Sequence, residues 1–156
     1  MRLIGMAMRR PLAKLAMVAV AAAAMTGLAS APASAAVTVS CSTSIPTDRS
    51  CTFTNGSRSV TVAINLTDDR SQVSGSARHN SGTFVSAVVY VKQCDGNGHN
   101  CGTIAANDKL NDARNFVYTS FKNTARGHVY KACASWTDGV GWHEVNRCSP
   151  FVTVPS

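Results

Sequence analysis

The chain has 156 residues, including 15 Lys or Arg, 8 Asp or Glu and 6 Cys. Its formal charge of +7 overstates the charge of the exported product, because residues 1–35 have the pattern of a removable signal with four basic residues and no acid. Residues 36–156 then carry 11 basic and 8 acidic side chains, a net charge of +3. This charge is too small to favour a nucleic-acid or membrane-surface partner, and the remaining length predicts one domain.

The predicted signal has three parts. A basic segment within residues 9–14 is followed by an apolar run over residues 15–28 and by the small residues 33–35, which predicts cleavage before Ala36. Its two adjacent arginines allow twin-arginine or general secretory export, and the cysteines favour the general route because disulfides form outside the reducing cytosol. We expect a bacterial protein that is secreted and leaves the membrane after cleavage.

Mainly β structure is expected, because residues 36–156 contain 15 Val but only two Leu. Alternating or continuous apolar runs predict strands at residues 60–66, 71–78, 84–91, 116–121, 127–136, 142–148 and 151–154. Short strands near Val39 and Phe53 complete the set, whose spacing is typical of a β-sandwich. We predict 71–78 as a polar edge strand, 84–91 as a central strand covered on both faces, and 105–113 as a polar loop.

A further pattern lies in residues 127–154: Gly127, Tyr130, Ala132 and Ala134, then a Gly-rich turn, then Ser149, Pro150, Val152 and Val154. It resembles the last two strands of fibronectin type III and immunoglobulin-like domains. It departs from an antibody-type domain, because Tyr130 and Cys133 are three residues apart rather than two and no Cys…Trp…Cys core spacing is present. The resemblance implies an all-β, antiparallel Ig-like or fibronectin III-like β-sandwich and implies nothing about function.

Six cysteines lie in the exported region: Cys41, Cys51, Cys94, Cys101, Cys133 and Cys148. Outside the cell they are expected to form disulfides, for which 15 pairings are possible. We interpret them as three sequence-neighbour pairs, because each pair spans a loop with Pro, Asp or Gly that can bring its ends together. A zinc site is the alternative, since four His are present, but no Cys-x2-Cys spacing occurs.

Residues 94–101 begin like a calcium-binding loop, with polar side chains at alternate positions from Asp95 onwards. The glycine and the acid that such a loop needs at its sixth and twelfth positions are replaced by Asn100 and Ala106. We therefore predict a disulfide-closed turn at this place, and no metal or other cofactor for the protein.

One candidate catalytic group surrounds Glu144, the only glutamate of the chain. His143 is adjacent, and Arg147 and His128 are near in sequence. Such a set could cleave RNA by acid–base chemistry, as small secreted ribonucleases do. Strand alternation argues against this, because it directs His143 and Arg147 to one face and Glu144 to the other unless a bulge intervenes.

The ring formed by residues 41–51 contains the segment Thr43, Ser44, Ile45 and Pro46. This segment resembles the reactive loop of Bowman–Birk-type serine protease inhibitors. The resemblance implies that Thr43 enters the specificity pocket of a protease and that the bond to Ser44 is presented but barely cut, because the ring preorganises the loop. The ring departs from that family in holding nine residues between its cysteines rather than seven, and in having Thr where a larger anchor is expected.

Trp136 and Trp142 flank a Gly-rich turn and are a possible ligand face for a sugar or a protein, although tryptophans that close a hairpin often pack against each other. Together these observations predict a secreted, non-catalytic binding module whose partner is an extracellular protein or carbohydrate. A serine protease inhibitor and a small hydrolase that uses Glu144 are the alternatives. The sequence predicts no oligomeric state.

Overall fold

A computed structural model describes residues 36–156, which form eleven strands in two antiparallel sheets. Sheet A contains β1 (Thr38–Ser42), β2 (Asp48–Asn55), β3 (Arg58–Leu66), β4 (Gln72–His79), β7 (Phe116–Tyr118) and β8 (Lys122–Asn123). Sheet B contains β5 (Phe84–Cys94), β6 (Gly102–Asn107), β9 (His128–Asp138), β10 (His143–Cys148) and β11 (Val152–Val154). The all-β prediction is confirmed. The predicted signal, residues 1–35, lies outside the described residues.

Sheet A is an antiparallel meander of β1 to β4 in chain order, with β7 and β8 pairing along the far side of β4. The hairpin between β2 and β3 has a two-residue loop, in which Gly56 has a φ of +62° that glycine adopts without strain. In sheet B the order is β10-β9-β5-β6, with β11 beside the first part of β9. Within residues 36–156, we find no helix with the length and apolar composition to cross a membrane.

The core lies between the two sheets and is made largely of valines, which suit the half-buried surface of a strand. Alternate residues of β3, including Val60, Val62 and Ile64, are fully buried. Gly75 marks a close approach of the sheets, because a Cβ there would lie 2.9 Å from the Cβ of Ala132. A larger residue at this position would push the sheets apart.

Three strand predictions are corrected by the structure. We expect residues 71–78 at an edge, but β4 has neighbours on both sides in sheet A, β3 on one and β7 and β8 on the other. Its small residues, such as Gly75, allow close packing against sheet B. The central strand at 84–91 is covered on one face only, since the outward side chain of Ser86 is exposed and that of Val88 is half-buried. The loop expected at 105–113 begins later, because Ala105 is buried and β6 pairs with β5 up to Asn107.

The strand expected at 116–121 is also interrupted. Pairing of β7 with β4 ends at Tyr118, and the buried Thr119 then forms two hydrogen bonds with Gly75. Its backbone N–H donates to the Gly75 carbonyl at 2.8 Å, and its hydroxyl accepts from the Gly75 N–H at 3.0 Å. Thr119 thus satisfies both the N–H and the carbonyl of Gly75. The regular pairing with β4 stops here and resumes at β8.

All three sequence-neighbour disulfides are present: Cys41–Cys51, Cys94–Cys101 and Cys133–Cys148. The first and third join directly opposite residues of adjacent strands, and the second closes the turn between β5 and β6. The predicted pairing is thereby confirmed. In the loop-entropy description, each bridge over a loop of this length contributes about 2–4 kcal/mol by restricting the unfolded chain.

Candidate ligand-binding groove

A groove of about 690 Å³ lies on the outer face of sheet B, between that sheet and the loop of residues 108–115. Its floor comes from three strands and carries the polar side chains of Ser86 on β5, Ser135 and Thr137 on β9, and His143 on β10. Val85 and Val88 of β5 add apolar surface beside them. The polar side chains point outward because their neighbours in sequence fill the core, as Trp136 does between Ser135 and Thr137. The groove is thus a direct product of strand alternation.

The loop of residues 108–115 forms one wall of the groove and is held in place by its own hydrogen bonds. The Asn111 side-chain oxygen accepts from the backbone N–H groups of Asn115 at 2.9 Å and Phe116 at 3.0 Å. Leu110 packs against the core from the same loop. The wall is therefore preorganised rather than free to collapse into the groove.

Arg114 clamps the end of this wall to β5. Its guanidinium donates to the carbonyl oxygens of Phe84 at 3.2 Å and Val85 at 2.6 Å, and its own carbonyl accepts from the Phe84 N–H at 2.6 Å. The backbone of this residue has a φ of +52°, which is a strained conformation for residues other than glycine. Because two guanidinium nitrogens of Arg114 already donate to backbone carbonyls, we assign this side chain a role in holding the wall.

Two aspartates of the wall remain without partners. Asp108 and Asp112 line the groove and are exposed, and neither carboxylate accepts a hydrogen bond or forms an ion pair within residues 36–156. Across the groove, the Nδ1 atom of His143 lies 3.0 Å from the Thr137 hydroxyl, which leaves its Nε2 atom as the nitrogen open to a ligand. The groove therefore offers two carboxylates, several hydroxyls and one imidazole.

Glu144 is not part of this groove. Its carboxylate is buried in the interior, where one oxygen accepts from the Trp142 indole N–H at 2.9 Å and the other from the Arg147 Nε at 2.6 Å. His143 lies on the opposite face of β10, as strand alternation predicted, and His128 lies at the far end of β9. The same prediction was wrong for Arg147, because a β-bulge between Glu144 and Arg147 places these two side chains together. The structure therefore does not bring Glu144 together with either histidine.

Trp136 and Trp142 do not form an exposed face. They are 1% and 6% exposed and pack edge to face with 5.4 Å between ring centroids. This corrects their assignment as a possible ligand face, and the physical reason is that the turn they flank folds both indoles into the core. Their role in the structure is packing.

A buried polar cluster around Asp138 was not foreseen from the sequence. One oxygen of Asp138 accepts from the backbone N–H groups of Val140 and Trp142 at 3.0 and 2.8 Å. The other accepts from Arg58 at 3.0 Å and lies 3.6 Å from the Nε2 atom of the buried His79. Burial, the largest single influence, raises the pKa of Asp138, but these hydrogen bonds together outweigh it and hold the pKa below its usual value.

The Cys41–Cys51 ring projects from sheet A as the hairpin between β1 and β2. Thr43, Ser44, Ile45 and Pro46 are all exposed at its tip. The base of the hairpin is fixed by the disulfide and by the Thr47 carbonyl, which accepts from the Leu66 N–H at 2.8 Å. The segment that resembles an inhibitor loop is therefore accessible and anchored on both sides.

Comparisons with known proteins give no relative for this chain. No family model, no curated protein and no solved structure matches it. Among residues 36–156 there is also no group of three or more His, Cys, Asp or Glu side chains arranged to hold a metal ion. The chemistry of its surfaces is thus the guide to what the protein binds.

Proposed function

We propose that the protein is a secreted, non-catalytic binding module with an Ig-like or fibronectin III-like sandwich, and that the sheet B groove is its ligand site. Three disulfides in a small all-β domain fit an extracellular location. A largely preformed concavity in which a few polar groups converge is the usual form of a small-ligand site. Asp108 and Asp112 are both open to solvent, so neither has the water-excluded setting that favours acid–base catalysis.

The unpartnered carboxylates of Asp108 and Asp112 carry the proposal, because they define the ligand. Carboxylates bind ammonium groups through charge-assisted hydrogen bonds, which are stronger than neutral ones. The Ser86 hydroxyl can donate and accept, and the Ser135 hydroxyl, which accepts from the Asn146 N–H at 2.9 Å, can still donate. Such groups suit a ligand rich in hydroxyl groups. The ligand class that combines these features is an amino-sugar oligomer with free amines.

Calorimetric titration of residues 36–156 tests this proposal by comparing the affinity for glucosamine oligomers with the affinity for their N-acetylated counterparts. We expect the amine form to bind and the acetylated form, which has lost the positive charge, to bind at least tenfold more weakly. Asp112→Asn should weaken binding of the amine form about tenfold, the effect of losing one charge-assisted hydrogen bond.

Asp68→Asn is the matched control, because Asp68 is an exposed aspartate in the turn between β3 and β4, outside the groove. Its binding curve should overlay that of the unmodified protein. Equal affinity for both oligomers, or unchanged binding by Asp112→Asn, would contradict the groove as the site.

The second candidate function is serine protease inhibition by the Cys41–Cys51 hairpin, and the exposed, bridged tip is the observation that favours it. Replacing Thr43 with Lys supplies the anchor that trypsin-like enzymes prefer. Under this hypothesis Thr43→Lys creates stoichiometric inhibition of trypsin with slow cutting after residue 43. The same substitution with Cys41 and Cys51 both changed to Ser should be cut as an ordinary substrate. Trypsin that keeps full activity with the bridged variant would eliminate this function.

A further inference from the structure

The outer face of sheet A, opposite to its core face, is covered with hydroxyl groups in register. Eight Ser and Thr residues of β1, β2 and β3 lie on it: Thr38, Ser40, Ser42, Ser50, Thr52, Thr54, Ser59 and Thr61. Strand pairing arranges them in three rows across the sheet, one of which runs from Ser40 through Thr52 to Thr61. The backbone positions that carry neighbouring hydroxyls are therefore spaced by about 4.8 Å between strands and about 6.8 Å along a strand.

Hydrogen bonds order part of this array. The Thr52 and Thr61 hydroxyls lie 2.9 Å apart, and the Asn80 amide donates to the Ser59 hydroxyl at 3.1 Å and to the Thr61 hydroxyl at 2.9 Å. The residues between them in sequence, such as Phe53 and Val60, point into the core. The hydroxyls are thus held by the same alternation that builds the core. Those of β1 belong to exposed residues, and those of β2 and β3 belong to half-buried ones.

Two of these rows end at an aromatic pair on β7, in which Tyr118 is exposed and Phe116 is half-buried. Phe116 lies beside Arg78 and Tyr118 beside Ser76, so both rings are on the outer face. The rings stack with centroids 5.6 Å apart and an interplanar angle of 27°, and Tyr118 is 57% exposed. A stacked aromatic pair left open to solvent is unusual unless a partner covers it.

The charge of this surface is low. Ser42, Ser50, Ala63, Ser76 and Tyr118 form a row with no charged side chain. The rows on its two sides have one charged member each, Arg78 in one and the exposed Asp48 in the other. Because the two charges are of opposite sign and uncharged groups lie between them, the surface favours an uncharged partner over a strongly charged one.

We propose that the outer face of sheet A binds the uncharged chains of an insoluble polysaccharide. Sugar rings stack on Phe116 and Tyr118, while their hydroxyl groups pair with the Ser and Thr rows. Each contact is weak, and many contacts along one chain add to a stable attachment. The hydroxyl rows lie on sheet A and the floor of the groove lies on sheet B, so the inference does not depend on the groove being occupied. Tyr118 lies nearer to the groove wall, beside Leu110 and Asp112.

A depletion assay tests this inference. The oxidised protein, residues 36–156, is mixed with cellulose, chitin or xylan, and the fraction left in solution is measured. We expect at least one of these polymers to retain it, with retention unchanged by raised salt because no ion pairs are involved. Tyr118→Ala should lower the binding constant about tenfold, and Thr52→Val with Thr61→Val should lower it while keeping the shape of the strand.

Two controls separate this surface from other parts of the molecule. Val140→Ala removes an exposed apolar side chain at the β9–β10 turn, and Ser135→Ala alters the floor of the groove on β9; both should keep full retention. Thermal unfolding of each variant shows that it is folded. Failure of all three polymers to retain the protein, or retention by folded Tyr118→Ala equal to that of the unmodified protein, would overturn the inference.

Discussion

Asp138 shows how a single residue ties the sandwich together. It closes the turn between β9 and β10 through its bonds to Val140 and Trp142, and it reaches Arg58 and His79 of sheet A. Its carboxylate therefore joins both sheets at one end of the molecule. Breaking this set would leave buried donors without an acceptor, which is costly.

The lowered pKa of Asp138 predicts how stability depends on pH. Because the folded protein holds this carboxylate ionised more strongly than the unfolded chain does, the stabilisation is complete above the unfolded value of about 3.9 and is lost as pH falls through the lower folded pKa. Thermal unfolding from pH 7 downwards should show an acid-induced loss of Tm that is smaller in Asp138→Asn than in the unmodified protein. The variant should also unfold at a lower temperature at pH 7. Parallel pH curves for the two proteins would contradict the prediction.

Glu144 is predicted to act in stability rather than in chemistry. Its carboxylate satisfies the buried indole N–H of Trp142, so Glu144→Ala should destabilise the fold by about 1–3 kcal/mol, the cost of an unpaired buried donor. Glu144→Gln keeps an oxygen for the indole and should lose less. Denaturant unfolding measures both changes.

Neither substitution at Glu144 should alter binding in the groove. If Glu144 instead served a hydrolase, Glu144→Gln would abolish turnover of RNA while leaving the Tm nearly intact. That result would replace the structural role with a catalytic one.

At the scale of elements, the loop of residues 108–115 decides whether the groove exists. Arg114→Gly tests this, because glycine accepts the positive φ of this position while removing the guanidinium clamp to Phe84 and Val85. We expect faster amide hydrogen exchange in residues 108–113 and about tenfold weaker binding of glucosamine oligomers. Unchanged exchange and affinity would show that the loop needs no clamp.

The sequence predicted strands best where a core face alternates with a solvent face, as at β3 and β9. It failed at β6, because an edge strand with Gly102, Thr103 and Asn107 lacks that alternation. It failed at β4 in a different way, since Gly75 and small neighbours indicate an edge when the opposite sheet is not known. The β4 error comes from a contact with the second sheet and the β6 error from a pairing with β5, and neither is contained in a local pattern.

The groove could not have been predicted from the sequence for the same reason. Asp108 and Asp112 have the composition of an ordinary polar turn, and only the pairing of β5 with β9 places Ser135 and Thr137 beneath them. The disulfide pairing was predictable, because each pair lies within one hairpin or turn. The burial of Trp142 depends on the distant His79, whose ring packs edge to face with it at 6.4 Å.

Viewed as a whole molecule, the sandwich presents three separate surfaces. The groove lies on sheet B, the hydroxyl and aromatic face lies on sheet A, and the Cys41–Cys51 hairpin projects from one edge. Because the hydroxyl rows of β1 to β3 and the floor of the groove lie on different sheets, a polysaccharide bound along those rows would leave the floor of the groove open. This arrangement suits a secreted module that holds a soluble ligand near a solid surface.

The most direct test of the groove as ligand site is chemical-shift mapping on isotopically labelled residues 36–156 during titration with glucosamine oligomers. We expect saturable shifts in the amides of residues 108–115 and in those of Ser135, Thr137 and His143. The hairpin residues 43–46 and the outer face of sheet A should remain unchanged. Saturable shifts confined to those other surfaces, or no saturable shift at all, would contradict the central claim.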